Sequence, residues 1–172
     1  MSNLTTVSRI EQDPATYVRQ CGTILREFNH LTQDSGNVSW LVESAGQRLF
    51  VKTAGTTGPP VPGTLVPYFD HAGRVRLLRN AVEVARSCDH PALPALLNVI
   101  ESPVGPALVY EAASGELIRV PDEQRADPAS PYQRLAHLPA PAMFGLFDTL
   151  LDLHVALAAA GRDSDDGGRN AP

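Results

Sequence analysis

The sequence predicts an α+β fold: an antiparallel sheet of about five strands with one principal helix packed on it. Three observations lead there. Two β-rich runs are joined by the short "SAG", a second pair of strand-like runs flanks "PVGP", and the stretch between the pairs is strongly helical in its periodicity. At 172 residues with 43% apolar content, the chain is long enough to fill a domain interior.

The elements follow in order. "DPATYVRQCGTILREF" (13–28) opens on an Asp-Pro start signal, and Tyr17, Cys21, Ile24 and Leu25 recur at helical spacing, so a helix is expected there, weakened by Gly22. "SGNVSWLVE" (35–43) and "QRLFVKTA" (47–54) alternate like strands and read as a hairpin. The Gly/Pro-rich "GTTGPPVPGTLVP" excludes helix and central strand. Residues 68–88 form the clearest helix, with Val75, Leu78, Val82 and Ala85 on one stripe and Ala81 beside it. "NVIES" and "ALVYE" are the next strands. Residues 119–141 are rich in proline and read as a linker, and 142–160 read as a further helix. The polar residues 161–172 read as a disordered tail.

Charge and cysteine content narrow the function classes. The net charge of −5 and the lack of a basic run argue against nucleic-acid binding. Asp148, Asp152 and His154 interrupt the most apolar stretch, so no membrane span is expected. Cys21 and Cys88 lie far apart and form no C-x-x-C pair, and the N-terminus carries no signal pattern; both point to a reduced, cytoplasmic setting. The five histidines show no metal-ligand spacing.

One basic residue stands out. Lys52, at the end of the apolar run "RLFVK", is the single lysine among 14 lysines and arginines. Spacing alone reads it as a strand-end lysine whose stem lies along the sheet and whose head sits in water.

The flanking motifs give it a second reading. "RLFVK", "DHPALPALL", "ALVYEAASGEL" and "LDLHVALAAAG" occur in the order of four landmarks of serine/threonine protein kinases: the lysine strand, the segment after the αC helix, the fifth strand with its hinge, and the end of the αE helix. The chain resembles that family, in its actinobacterial type, over roughly residues 30–161. The resemblance implies a kinase-like small lobe with an αC-like helix at 29–118, preceded by a helical extension at 1–28. The linker at 119–141 and an αE-like helix at 142–160 then represent a fragment of the helical lobe. It further implies ATP as ligand, with Lys52 on the α- and β-phosphates, Tyr110 at the gatekeeper position, Glu111 and Ala113 meeting the adenine edge through their backbones, and Val38 above the base. Gly36 would be what remains of the glycine-rich loop.

Several family features are missing. Leu31 and Gln33 occupy the first two glycine positions of that loop, and Ser35, Asn37 and Ser39 offer hydroxyl and amide donors instead. The αC glutamate position falls on Ala81, while Glu83 reads as a solvated surface charge. No H-R-D or D-F-G motif is present; Asp165 and Asn170 have D-x-x-x-x-N spacing only within the polar tail. The magnesium that the family uses therefore finds no ligand. The expectation is a chain cut short within a kinase-like domain and inactive by itself. The alternative is a non-catalytic module that holds a nucleotide weakly or docks a protein partner, or a second copy, through the apolar 142–160 helix.

Overall fold

The computed structural model describes residues 4–29, 36–58, 69–118 and 122–166, with 162–166 described through their backbone. The chain divides into two compact units, Met1–Ala112 and Ala113–Pro172.

The first unit is α+β. Asp13 accepts a hydrogen bond from the Thr16 amide at 3.0 Å and, with Pro14 in the first turn, starts α1 (Pro14–Cys21). The helix expected to reach residue 28 stops here. At Gly22 the chain passes into β1 (Thr23–Phe28). The reason is a close approach: a Cβ on Gly22 would lie 2.4 Å from the Glu43 carbonyl oxygen and 2.8 Å from Val42 Cγ1. Ile24 and Leu25, at helical spacing in the sequence, are strand residues. The first packs against the core and the second is exposed.

β2 (Val38–Ser44) and β3 (Gln47–Thr53) form the expected hairpin. Its turn is Ala45–Gly46, both with positive φ, as a two-residue turn matched to strand twist requires. β4 (Leu96–Ile100) and β5 (Ala107–Glu111) complete an antiparallel sheet of order β1-β2-β3-β5-β4. The central strand, β3, therefore pairs on one side with β5, far from it in sequence.

Alternation along the strands divides the apolar residues between two faces. Trp40, Val42, Leu49, Val51, Ala107 and Val109 build one core with Tyr17 and Val18 of α1. Leu4 and Ile10 of the N-terminal segment join it. That segment is part of the domain rather than an appendage. The Ile10 amide donates to the Glu101 carbonyl and the Glu101 amide to that of Ser8, each at 2.9 Å. Asn98 Nδ2 donates to the carbonyls of Leu4 and Val7 at 2.9 and 2.8 Å.

The opposite face carries α2 (His71–Ser87), whose Leu78 and Val82 pack on Leu108 and Ala54. Asp70 caps this helix by accepting from the Gly73 amide at 2.7 Å. One turn in, the buried Arg74 donates Nε to the Ala54 carbonyl at 2.7 Å. Its terminal nitrogens donate to the carbonyls of Phe69 and Thr56 at 2.8 and 2.9 Å. Burial lowers the guanidinium pKa, against a smaller opposing effect from the Asp70 charge.

Two carboxylates link this unit to pH. Glu27 lies below the ordinary value of 4.5 because Asn29 and then the Trp40 indole N–H donate to it, the latter at 3.1 Å. Glu101 is lowered chiefly by its two bonds from Arg79, at 2.5 and 2.8 Å. Each folded pKa is depressed, so each contribution is full above about pH 4.5 and is lost as pH falls through the lowered values. Both groups are partly exposed, which keeps the effect small. Acid titration followed by the fluorescence of Trp40, the sole tryptophan, should show stability flat above pH 5 or so and falling below it, with Glu27→Gln changing the emission of the folded state directly. An unchanged spectrum would contradict the indole–carboxylate bond.

The second unit holds a 3₁₀ turn at Asp122–Gln124, α3 (Pro131–Ala136) and α4 (Ala140–Asp166). The stretch expected to be a linker thus contains two short helical elements. Its prolines open helices: Ser130 caps α3 by accepting from the Gln133 amide at 3.2 Å, with Pro131 in the first turn, and Pro141 sits in the first turn of α4. α4 runs past residue 160 into the segment expected to be disordered; residues 167–172 lie outside the described part. Phe144, Leu151 and Val155 are 65%, 62% and 62% exposed. Residues Ala140–Gly161 are long and apolar enough, by length and composition, to cross a membrane, despite the interruptions at Asp148, Asp152 and His154.

Candidate functional site

Lys52 sits near the end of β3, directly opposite Ser39 on β2 and Leu108 on β5. Residues opposite one another in antiparallel strands share a face. Ser39, Lys52 and Leu108 therefore form one row, and Leu41, Phe50 and Tyr110 form the next. Because Leu108 packs under Leu78 and Val82, this is the face that α2 covers. Lys52 is half-buried there.

Ala81, expected from the resemblance to stand where an αC glutamate would, is partly buried against the cluster of Ala54, Leu78, Val82 and Leu108. Glu83 is exposed and accepts from Arg86 at 3.2 Å. Among the described residues no carboxylate pairs with Lys52.

Tyr110 is half-buried on the lysine face, and burial raises its hydroxyl pKa, which keeps it neutral. Glu111 ends β5 with an exposed side chain, and its amide donates to the Ala95 carbonyl at 2.9 Å. The Ala112 amide donates to the Arg48 carbonyl at 3.2 Å. Ala113 begins the second unit, so the boundary between units falls inside the segment expected to be a hinge.

Val38 departs from its expected place. It stands opposite Thr53, whose hydroxyl donates to the Val38 carbonyl at 3.0 Å, and it packs against the Trp40 core. That is the face opposite Lys52. The β2 side chain beside the lysine is that of Ser39. A strand offset of one residue reverses the face of every side chain, and motif counting carries no protection against it.

Gly36 has φ of 73°. Its carbonyl oxygen would lie 2.3 Å from a Cβ on Gly55, itself at φ of 73°, so glycine is required at 55 both for conformation and for the approach of the two backbones. Leu31, Gln33 and Ser35 lie outside the described residues. Asp165 is in α4 rather than in a loop, and Asn170 is outside the described part.

Of two buried polar groups, the first was read in the sequence only as a loop donor and the second went unnoticed. The Ser39 hydroxyl is buried, the residue being 1% exposed, and Nε2 of His71 is buried at the start of α2; neither atom has a hydrogen-bond partner among the described residues. "DHAGR" held the signal for the second: an Asp N-cap three residues before Gly73 makes His71 the first residue of the helix. A half-buried lysine ammonium with no described carboxylate partner suits an anion such as a phosphate. Among the described residues no group of three or more His, Cys, Asp or Glu side chains is placed to hold a metal ion.

No protein-family model matches this sequence, and comparison with curated proteins finds no match.

Proposed function

We propose that the first unit is a serine/threonine-protein-kinase-like small lobe that binds an adenine nucleotide through Lys52, and that this chain alone does not transfer the phosphoryl group. The observation carrying this reading is the position of the single lysine. It stands on the central strand, β3, half-buried on the helix-covered face, with no described carboxylate consuming its charge.

A compact ammonium in such a place neutralises phosphate oxygens as a point charge. Tyr110, on the same face, limits how deep a base can enter, and the backbone near Glu111 supplies polar groups for its edge. Transfer needs more. An aspartate must orient the attacking hydroxyl and another must hold magnesium, and the 172 residues contain neither motif. Among the described residues Lys52 has no carboxylate partner either, so weak binding is expected. Cys21 and Cys88 form no disulfide, which fits a reducing, cytoplasmic setting.

Calorimetric titration of the full chain with ATP should give weak, saturable binding that Lys52→Ala reduces at least tenfold, since a charge-assisted bond is worth roughly 1.5–3 kcal/mol. Equal binding by both proteins would remove the lysine from the site. Magnesium-dependent turnover abolished by Lys52→Ala would overturn the claim of inactivity.

A second reading has its own observation, the exposed apolar stripe of α4. Phe144, Phe147, Leu151 and Val155 recur at helical spacing and remain open in the second unit, which suits docking to a protein partner or a second copy. Leu151→Asp should abolish concentration-dependent association measured by sedimentation. A stable monomer at all concentrations would count against self-association, and co-flotation with lipid vesicles would point to a membrane surface instead.

A further inference from the structure

The α4 helix is apolar on two sides. On one, Leu146, Leu153 and Leu157 are partly buried and Ala160 is buried. On the other, Phe144, Phe147, Leu151 and Val155 are 65%, 57%, 62% and 62% exposed. At the pitch of an α-helix these four fall within about 80° of one another, in a seam of about three turns. An open apolar seam of this extent marks a binding surface.

The seam has unequal edges. Asp148 and Asp152 run along one, a turn apart, and among the described residues no cation pairs with either. Leu150 and His154 run along the other. Like charges four residues apart weaken a helix slightly, and a docked cation would relieve them.

Those carboxylates decide between occupants. A second copy docked antiparallel brings the two acidic edges together with no counter-charge. Docked parallel, it offers them only Leu150 and His154. Anionic lipid repels them, and in a bilayer they would sit near the middle of Ala140–Gly161, where a carboxylate is most costly. A helix of another protein, apolar along one seam and carrying Lys or Arg beside it, matches both the seam and its acidic edge.

We infer that α4 docks an amphipathic, basic-edged helix of a partner protein, with Phe144, Phe147, Leu151 and Val155 burying against its apolar seam and Asp148 and Asp152 pairing with its cations. The inference rests on the reading of α4 as a docking surface and names what that surface takes.

The test is fluorescence-anisotropy titration of the full-length chain with three labelled synthetic peptides: a helix with a leucine seam and lysine edges, the same helix with glutamate edges, and a scrambled peptide of the first one's composition. The lysine-edged helix should bind saturably and roughly tenfold tighter than the glutamate-edged one, the weight of two exposed ion pairs, and the difference should shrink in high salt. Asp148→Asn combined with Asp152→Asn should erase the preference and keep the binding. Phe147→Ser combined with Leu151→Ser should abolish binding, and Phe144→Ala, which favours the helix, should weaken it. Equal binding of both seam peptides, lost in the serine variant, would overturn the basic partner and leave α4 a docking surface. Equal binding of the scrambled peptide would reduce the effect to charge attraction and overturn the inference. Binding of no peptide overturns it too. If the chain is then also monomeric and leaves lipid vesicles unbound, the docking reading falls with it.

Discussion

Arg74→Met is expected to destabilise the first unit by about 3 kcal/mol, because it leaves the carbonyls of Ala54, Phe69 and Thr56 without their donor. Methionine keeps much of the buried stem, so the loss reports on hydrogen bonds more than on packing. The three carbonyls bracket the connection between β3 and α2, and a single planar guanidinium reaches all of them. Lysine cannot span three acceptors in different directions, so Arg74→Lys should recover only part of the loss. Urea denaturation followed by Trp40, which is 3% exposed in the core of this unit, measures it. A change below about 1 kcal/mol would mean that water satisfies those carbonyls and that the guanidinium does not hold the helix start.

Gly22→Ala sets local preference against tertiary contact. In an isolated helix the change would stabilise by about 1 kcal/mol. Here the new methyl would meet the Glu43 carbonyl oxygen and Val42 Cγ1 at 2.4 and 2.8 Å, distances at which backbone must move. Overpacking against backbone costs about 3 kcal/mol, and the smaller freedom of the unfolded chain returns up to about 1 kcal/mol, so the net expectation is a loss of about 2 kcal/mol, read by the same urea titration. A gain in stability would show that α1 prefers to continue and that β1 is the weaker element. The Ser44 hydroxyl, which donates to the Cys21 carbonyl at 2.6 Å, holds the helix end in the same place, so Ser44→Ala should add to the loss less than independently.

Much of the fold was legible in local pattern. The "SAG" hairpin, the α2 stripe and the two strands around "PVGP" were read from alternation, turn residues and 3.6-residue spacing, and they stand where expected. The misreadings share a cause. Residues 23–28 had helical spacing by accident of composition, and only the proximity of β2 makes them a strand. The prolines of 131 and 141 looked like helix breakers but occupy first turns, where a missing N–H costs nothing.

For the candidate site, the sequence by itself singled out Lys52, Tyr110 and the absence of an acidic partner at Ala81, because residue identity and order along the chain are enough for that. Tertiary structure alone decided which side chains accompany the lysine. Strand pairing put Ser39 rather than Val38 on its face. Pairing register has a period of two, so a difference of one residue exchanges the two faces, and that offset is set by contacts between segments far apart in the chain.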